Sequence, residues 1–169
     1  MDWQSEKPIS WLSGLSHCVK ADKSQGAEDF EDIYNSSPDR CSTYGLAIRE
    51  ADQLVVGVIT LRQGGQKSRW DEQMIHKPDS KELYVDHIAV TKEARGMGVG
   101  TKLLLWAEEK AKERGATKLS LGVVNGNPAK RLYDRFGFED TKTDCFISSC
   151  FVGRPHGQLG AIFMEKQVH

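Results

Sequence analysis

Long apolar runs are absent from this chain of 169 residues, and with them the roughly 20 consecutive apolar residues that a membrane-spanning helix needs. Met1 is followed by Asp2, Trp3 and Gln4 rather than by a basic region and an apolar core, so no secretory leader is expected. Paired cysteines are missing too. Cys18, Cys41, Cys145 and Cys150 include no C-x-x-C pair, and no histidine stands at zinc spacing from them. Free thiols in a reducing cytosol, with no metal site, are the expectation. Excess charge of one sign is also lacking: a net charge of −1 gives no reason to expect a nucleic-acid partner. Neither internal repeats nor low-complexity segments occur. What remains is the composition of one domain, 1–169, long enough to bury a core without staples.

The stretch that organises the chain is Val90-Thr91-Lys92-Glu93-Ala94-Arg95-Gly96-Met97-Gly98-Val99-Gly100-Thr101. An apolar strand pattern ends there, glycines alternate at 96, 98 and 100, and an amphipathic helix begins. Glycines let the backbone turn tightly and remove the Cβ atoms that would keep an anion away. The first helical turn adds unpaired N–H groups and the positive end of a dipole, which suits a pyrophosphate. A nucleoside-triphosphate loop requires Lys directly after its last glycine, but Thr101 intervenes before Lys102. A dinucleotide fold requires G-x-G-x-x-G, whereas the spacing here is G-x-G-x-G. The pattern left is Arg-x-x-Gly-x-Gly after Ile88-Ala89-Val90, and a glycine-rich turn without a ligand is its bland alternative.

A second motif runs Asn127-Pro128-Ala129-Lys130-Arg131-Leu132-Tyr133-Asp134-Arg135-Phe136-Gly137-Phe138. Its chemistry is that of a short helix, with Asn127 as N-cap, Pro128 at the first helical position and Gly137 just past the end. Ala129, Leu132, Tyr133 and Phe136 recur at helical spacing, so Tyr133 is either a core aromatic or a reactive phenol.

In order and spacing, these two motifs resemble the signatures of the GNAT superfamily of acetyl-CoA-dependent N-acetyltransferases, a resemblance that covers about residues 82–140. It implies an α+β fold (three-layer, acyl-CoA N-acyltransferase type), with a mixed central sheet, helices on both faces, and two parallel strands splayed around the pantetheine arm. It implies acetyl-CoA as cosubstrate and direct attack by a primary amine in a ternary complex. Backbone groups of Ile88, Ala89 and Val90 would hold the pantetheine amides. Arg95, Gly96, Met97, Gly98, Val99, Gly100 and Thr101 would wrap the pyrophosphate. Asn127 would orient the pantetheine arm or a nearby water. Tyr133 matches the tyrosine that protonates the leaving thiolate, a transfer its ordinary acidity permits.

The base is less uniform in the family. Glu82 occupies the strand position of a catalytic glutamate, and Asp86 shares its face, whereas His87 falls on the other. The acceptor, a small molecule or a protein amine, is not written in the sequence, and neither is the choice of monomer or homodimer. A non-catalytic acetyl-CoA sensor with the same fold is the alternative, and retention of Tyr133 favours the enzyme.

Around these motifs, the pattern predicts a hairpin of strands 44–49 and 54–62, with Gly57 as a bulge or a close approach. A polar excursion over 63–80, with Trp70 and Met74, reads as surface or as a lid. Glu82–Val90 reads as a strand with Glu82, Tyr84, Asp86, Ile88 and Val90 on one face. A helix is expected over 98–114, burying Val99, Leu103, Leu104, Ala107 and Ala111, with Trp106 at the edge and Gly115 closing it. A strand parallel to Glu82–Val90 follows over 118–124, and antiparallel strands over 139–144 and 160–166 close the fold. Between those two lies a long connection, 145–159, with Phe146, Phe151 and Gly153-Arg154-Pro155-His156-Gly157. In residues 1–42 the apolar spacing suggests short helices, one with Ile9, Trp11, Leu12 and Leu15 and another with Glu28, Phe30, Ile33 and Tyr34, before a break at Ser36-Ser37-Pro38-Asp39. No opening strand is evident there.

Overall fold

The computed structural model describes residues 9–13, 43–65, 76–144 and 161–169, with side chains described from residue 43 to residue 141 within those ranges and over 161–169. The four cysteines, the second helix expected in 1–42, Trp70, Met74 and the 145–159 connection lie outside the described residues.

Seven strands are ordered β1-β2-β3-β4-β5-β7-β6 in a mixed sheet. They are β1 (Ile9–Ser13), β2 (Tyr44–Arg49), β3 (Leu54–Gln63), β4 (Glu82–Val90), β5 (Lys118–Val124), β6 (Glu139–Asp144) and β7 (Ala161–Gln167). The described helices are α1 (Val99–Glu113) and α2 (Lys130–Phe136), with a 3-10 turn at Lys92–Ala94. This is the α+β architecture expected, with one correction. Ile9–Ser13 is a strand, not a helix, and pairs antiparallel with β2 from Ile9↔Arg49 to Ser13↔Gly45. A helix of so few residues is marginal on its own, whereas the side of β2 offers a row of backbone groups to pair with.

By contacts the chain divides into two compact units, Met1–Thr60 with His87–Leu103, and Leu61–Asp86 with Leu104–His169. In the first unit, β2 and β3 form the expected antiparallel hairpin. The register passes from Ala47↔Gly57 to Ile48↔Val55, so Val56 is an extra residue on β3 and the pair is bulged. The Val56 carbonyl accepts from the Thr91 N–H at 2.9 Å. Gly57 serves a close approach: a Cβ there would lie 3.0 Å from Val99 Cγ1, 3.1 Å from Leu103 Cδ1 and 3.3 Å from the Ala89 carbonyl. The missing side chain therefore lets the start of α1 lie directly on β3. Ala47, Ile59, Val99 and Leu103 are buried in this unit.

In the second unit, β4 pairs in parallel with β5 from Glu82↔Lys118 to Val85↔Leu121, and both strands continue past their last paired residues. β7 runs antiparallel to both β5 and β6. Leu104, Ala107 and Ala111 of α1 are buried, as are Leu83, Val85, Leu119, Leu121 and Met164, and Trp106 is buried beside them. The helix ends in a Schellman motif: Gly115 has φ +67°, its N–H bonds the Lys112 carbonyl, and the Ala116 N–H bonds that of Ala111 at 2.9 Å. Gly64, at the end of β3, passes so close to Asp79 that any Cβ would clash with the Asp79 carbonyl. Among the described residues no helix is long and apolar enough to cross a membrane.

Candidate functional site

In the first unit, β4 ends at Val90, the 3-10 turn follows, and the chain enters α1 through the glycine loop. Gly96 and Gly98 have φ of +81° and +77°, a left-handed backbone that L side chains rarely adopt. A Cβ at either would meet nothing within 4 Å, so conformation rather than space requires glycine there. Gly100 is already helical. The loop is braced from below by buried Ala94, by Met97 N–H to the Ala94 carbonyl at 3.4 Å, and by Arg95 Nε to the Val90 carbonyl at 3.2 Å. Among the described residues no carbonyl stands against the backbone N–H groups of Gly96, Gly98, Val99, Gly100 or Thr101. No acidic residue lies in the first turn of α1 to compete with an anion. Unpaired amides at the positive end of a helix of this length suit a phosphate group. Ile88, Ala89 and Val90, at the end of β4, are half-buried, exposed and half-buried in turn.

In the second unit, Asn127 opens the second motif and Tyr133 sits midway along it, within α2. The regular helix begins at Lys130, later than the Pro128 start expected, because residues 127–129 form a tighter turn. Lys130 N–H bonds the Asn127 carbonyl at 3.1 Å and Arg131 N–H the Pro128 carbonyl at 3.3 Å. Asn127 still acts as a cap, its Oδ1 accepting from Ala129 N–H at 2.9 Å. At the other end, Gly137 has φ +92° and closes a Schellman motif in which the Phe138 N–H bonds the Tyr133 carbonyl at 3.0 Å. The rings of these two residues meet edge to face at 6.1 Å, the apolar contact that accompanies this motif. The helix stop thus also positions Tyr133. Burial raises its phenol above the ordinary 10.0, so it stays protonated through the neutral range.

The β4 carboxylates lie in a network that the sequence reading did not foresee. Glu82 is buried, and its Oε1 accepts from Ser120 Oγ and from His76 Nε2, the latter at 2.6 Å. Its Oε2 accepts from the Asp79 N–H at 3.2 Å and faces Lys118 Nζ at 3.5 Å. Burial alone would raise the Glu82 carboxyl, but the hydrogen bonds from His76 and Ser120 outweigh it and bring it down to about 2. A carboxylate held that low is a weak proton acceptor near neutrality and a firm hydrogen-bond acceptor. Asp86 is gripped by Arg62, whose Nε lies 3.0 Å from Oδ2 and whose Nη2 lies 2.9 Å from Oδ1. Arg62 is itself buried, and its Nη1 donates to the His76 carbonyl at 2.9 Å. Tyr84 lies between the two carboxylates on the same face, its ring 4.7 Å from that of His76. Burial, chiefly, drives its phenol far above its ordinary value. Glu82, Tyr84 and Asp86 therefore share one face as parity predicts, and His87 is exposed.

His76, Ser120 and Arg62 were missed. A serine between Leu119 and Leu121 in a buried parallel strand, and an arginine in an apolar one, were the available signals of a buried polar partner.

The acetyltransferase (GNAT) family model matches residues 8–138. The chloroplastic GCN5-related N-acetyltransferase 7 of Arabidopsis thaliana is 31% identical over 144 residues, which cover 80% of this chain and 48% of that protein. Nourseothricin acetyltransferase, known from a crystal structure, is 29% identical with a TM-score of 0.58, over 75% of this chain and 65% of its own. A Bacillus subtilis acetyltransferase solved in complex with CoA shares the fold at 17% identity, with a TM-score of 0.64 over 96% of this chain and 100% of its own. The matches span less than half the length of the curated relatives. Both sequence motifs fall within the residues that the family model covers, and the chain belongs to the acetyltransferase (GNAT) family.

Proposed function

We propose that the protein is an N-acetyltransferase that moves the acetyl group of acetyl-CoA to a primary amine by direct attack. The observation that carries this reading is the set of backbone N–H groups at Gly96, Gly98, Val99, Gly100 and Thr101, at the entrance to α1, that meet no carbonyl among the described residues, in a chain of this family. Those amides, with Arg95 and Met97 completing the loop, would hold the pyrophosphate. Ile88, Ala89 and Val90 would offer backbone groups to the pantetheine amides. Asn127, whose Oδ1 accepts from Ala129, would donate from its Nδ2 to that arm.

Tyr133 would give a proton to the departing sulfur, and its burial keeps that proton available. The polar face of β4, with Glu82 and Asp86, would serve the incoming ammonium. The proposal includes a soluble, cytosolic setting, supported by cysteines without paired spacing. Acetyl-CoA titration by calorimetry, followed by free-thiol release across a panel of alkylamines, polyamines, aminoglycosides and peptide N-termini, tests it. Binding with thiol release that depends on the amine supports the enzyme. Binding without release on any amine would instead support the acetyl-CoA sensor.

A further inference from the structure

Gly96 and Gly98 leave the backbone of the cofactor loop many conformations, so a loop that is to meet an anion with its N–H groups already placed must be held from its flanks. Main-chain bonds hold the approach. Thr91 N–H bonds the carbonyl of Val56, the extra residue of β3, at 2.9 Å, and Ala94 N–H bonds the Thr91 carbonyl at 3.1 Å. Beyond Ala94 the main-chain bonds lengthen to 3.4 Å, from Arg95 N–H to the Lys92 carbonyl and from Met97 N–H to the Ala94 carbonyl. Among the described residues one side-chain bond ties this stretch, Arg95 Nε to the Val90 carbonyl at 3.2 Å. It joins the last residue of β4 to the residue before the first glycine, and all of these groups lie in the first unit.

Arg95 is exposed, and among the described residues its guanidinium has no partner besides that carbonyl. Two roles are open to such a side chain. Its charge can attract a phosphate, but an exposed cation is screened by water and salt. Its Nε–H can instead fix the loop, a role that needs a donor at that atom and no charge. The geometry favours the second, since Nε is already spent on the protein's own backbone.

We propose that Arg95 is a positioning residue: its Nε–H, seated on the Val90 carbonyl, fastens the glycine loop to the end of β4 and keeps it in its anion-holding form before the cofactor arrives. This rests on the acetyltransferase reading for the identity of the ligand. Side-chain chemistry separates the donor from the charge. Glutamine carries an N–H nitrogen the same number of bonds from Cα as the arginine Nε, without the charge. Lysine keeps the charge but has a methylene at that place, and methionine has a methyl there and no charge.

The test uses the full chain with acetyl-CoA as the probe. By calorimetry Arg95→Met should bind about fivefold more weakly, the worth of one hydrogen bond. Arg95→Gln should recover most of that loss, and Arg95→Lys should not. The Arg95→Met deficit should persist at high salt, where a purely ionic one fades. The reverse order, with lysine near the parent and glutamine as weak as methionine, would assign the effect to charge and overturn the proposal, as would three variants of parental affinity. Melting temperatures should stay within a few degrees of the parent; a large fall in Arg95→Met that glutamine does not restore would make Arg95 a residue of the fold and overturn it too. A second measurement needs no cofactor. Nitrogen-15 NMR of the free parent, with Arg95 assigned by its absence in Arg95→Met, should show an Nε–H that exchanges with water more slowly than that of an exposed arginine, and exchange as fast as the exposed ones refutes the tie. A parent that binds no acetyl-CoA refutes the cofactor reading of the loop, a failure distinct from loss of the tie, which the resonance reports without any ligand.

Discussion

Arg62 closes on Asp86 through two nitrogens, Nε at 3.0 Å and Nη2 at 2.9 Å, with the guanidinium side chain only 2% exposed. A planar fork on a carboxylate is the arrangement that makes burial of both charges tolerable. Removing one partner strands the other. Asp86→Ala should therefore destabilise the fold by about 3–5 kcal/mol in guanidinium unfolding. Arg62→Leu combined with Asp86→Leu should recover most of that loss, and a double variant as unstable as the single one would argue against the pair.

Glu82 predicts the acid behaviour of the fold. Its carboxyl ionises at about 2 in the folded chain against an ordinary 4.5, so the unfolded chain binds more protons between those values. Its contribution is complete above 4.5, and it is lost as pH falls towards 2. The difference corresponds to roughly 3 kcal/mol. Chemical unfolding followed at a series of pH values should show stability falling through this window, and Glu82→Gln should flatten that slope.

Gly57 reports on packing. Gly57→Ala places a methyl against Val99, Leu103 and the Ala89 carbonyl, none of which is the far end of a long flexible side chain. A loss of about 1–3 kcal/mol is expected, with Gly57→Val worse. Thermal melts of the two variants, ranked below the parent in that order, would bear this out.

At the glycine loop, Gly98→Glu adds a negative charge and forces a left-handed residue with a side chain, since φ there is +77°. Acetyl-CoA affinity should fall at least tenfold, and the left-handed strain, about 1–2 kcal/mol, should lower the melting temperature by only a few degrees. Calorimetry showing parental affinity would remove the loop from the cofactor site.

Tyr133→Phe keeps the ring that meets Phe138 and deletes only the hydroxyl. Cofactor affinity should hold, and kcat should fall on the order of 10²-fold for the loss of a general acid. A variant that turns over like the parent would make Tyr133 the stop of its helix and nothing more.

The hairpin, β4, α1 and the closing strands were legible because their apolar periods are long or strict, as in the Val99, Leu103, Leu104, Ala107 and Ala111 stripe that the structure buries. The Gly57 reading of bulge or close approach proved to hold both, the bulge at Val56 beside it and the approach at Gly57 itself. β1 was misread because Ile9, Trp11 and Leu12 also suit a helical face, and a strand of five residues takes its identity from its partner rather than its own pattern. The glycine loop could be read because its chemistry is contiguous in sequence. The His76 and Glu82 contact could not, since six positions and an unreadable turn separate them. Nor could Arg62 and Asp86, which are 24 positions apart. Polar partners brought together by folding leave only an oddly placed charge as their trace.

The parallel pairing of β4 with β5 bears on how the chain avoids misfolding. Leu83 and Val85 are as buried as Glu82 and Tyr84 on the opposite face, so burial by itself barely distinguishes the two faces of this strand. A slip of one residue would exchange them, carrying the Glu82 carboxylate away from Ser120 and Lys118 and into the surroundings of Leu83. An unpartnered ion there costs several kcal/mol, far more than the shifted apolar contacts could return. The contacts that hold Glu82 against Ser120 and Lys118 thereby act as a proofreading element, rejecting the wrong alignment of two strands whose apolar pattern alone would admit it.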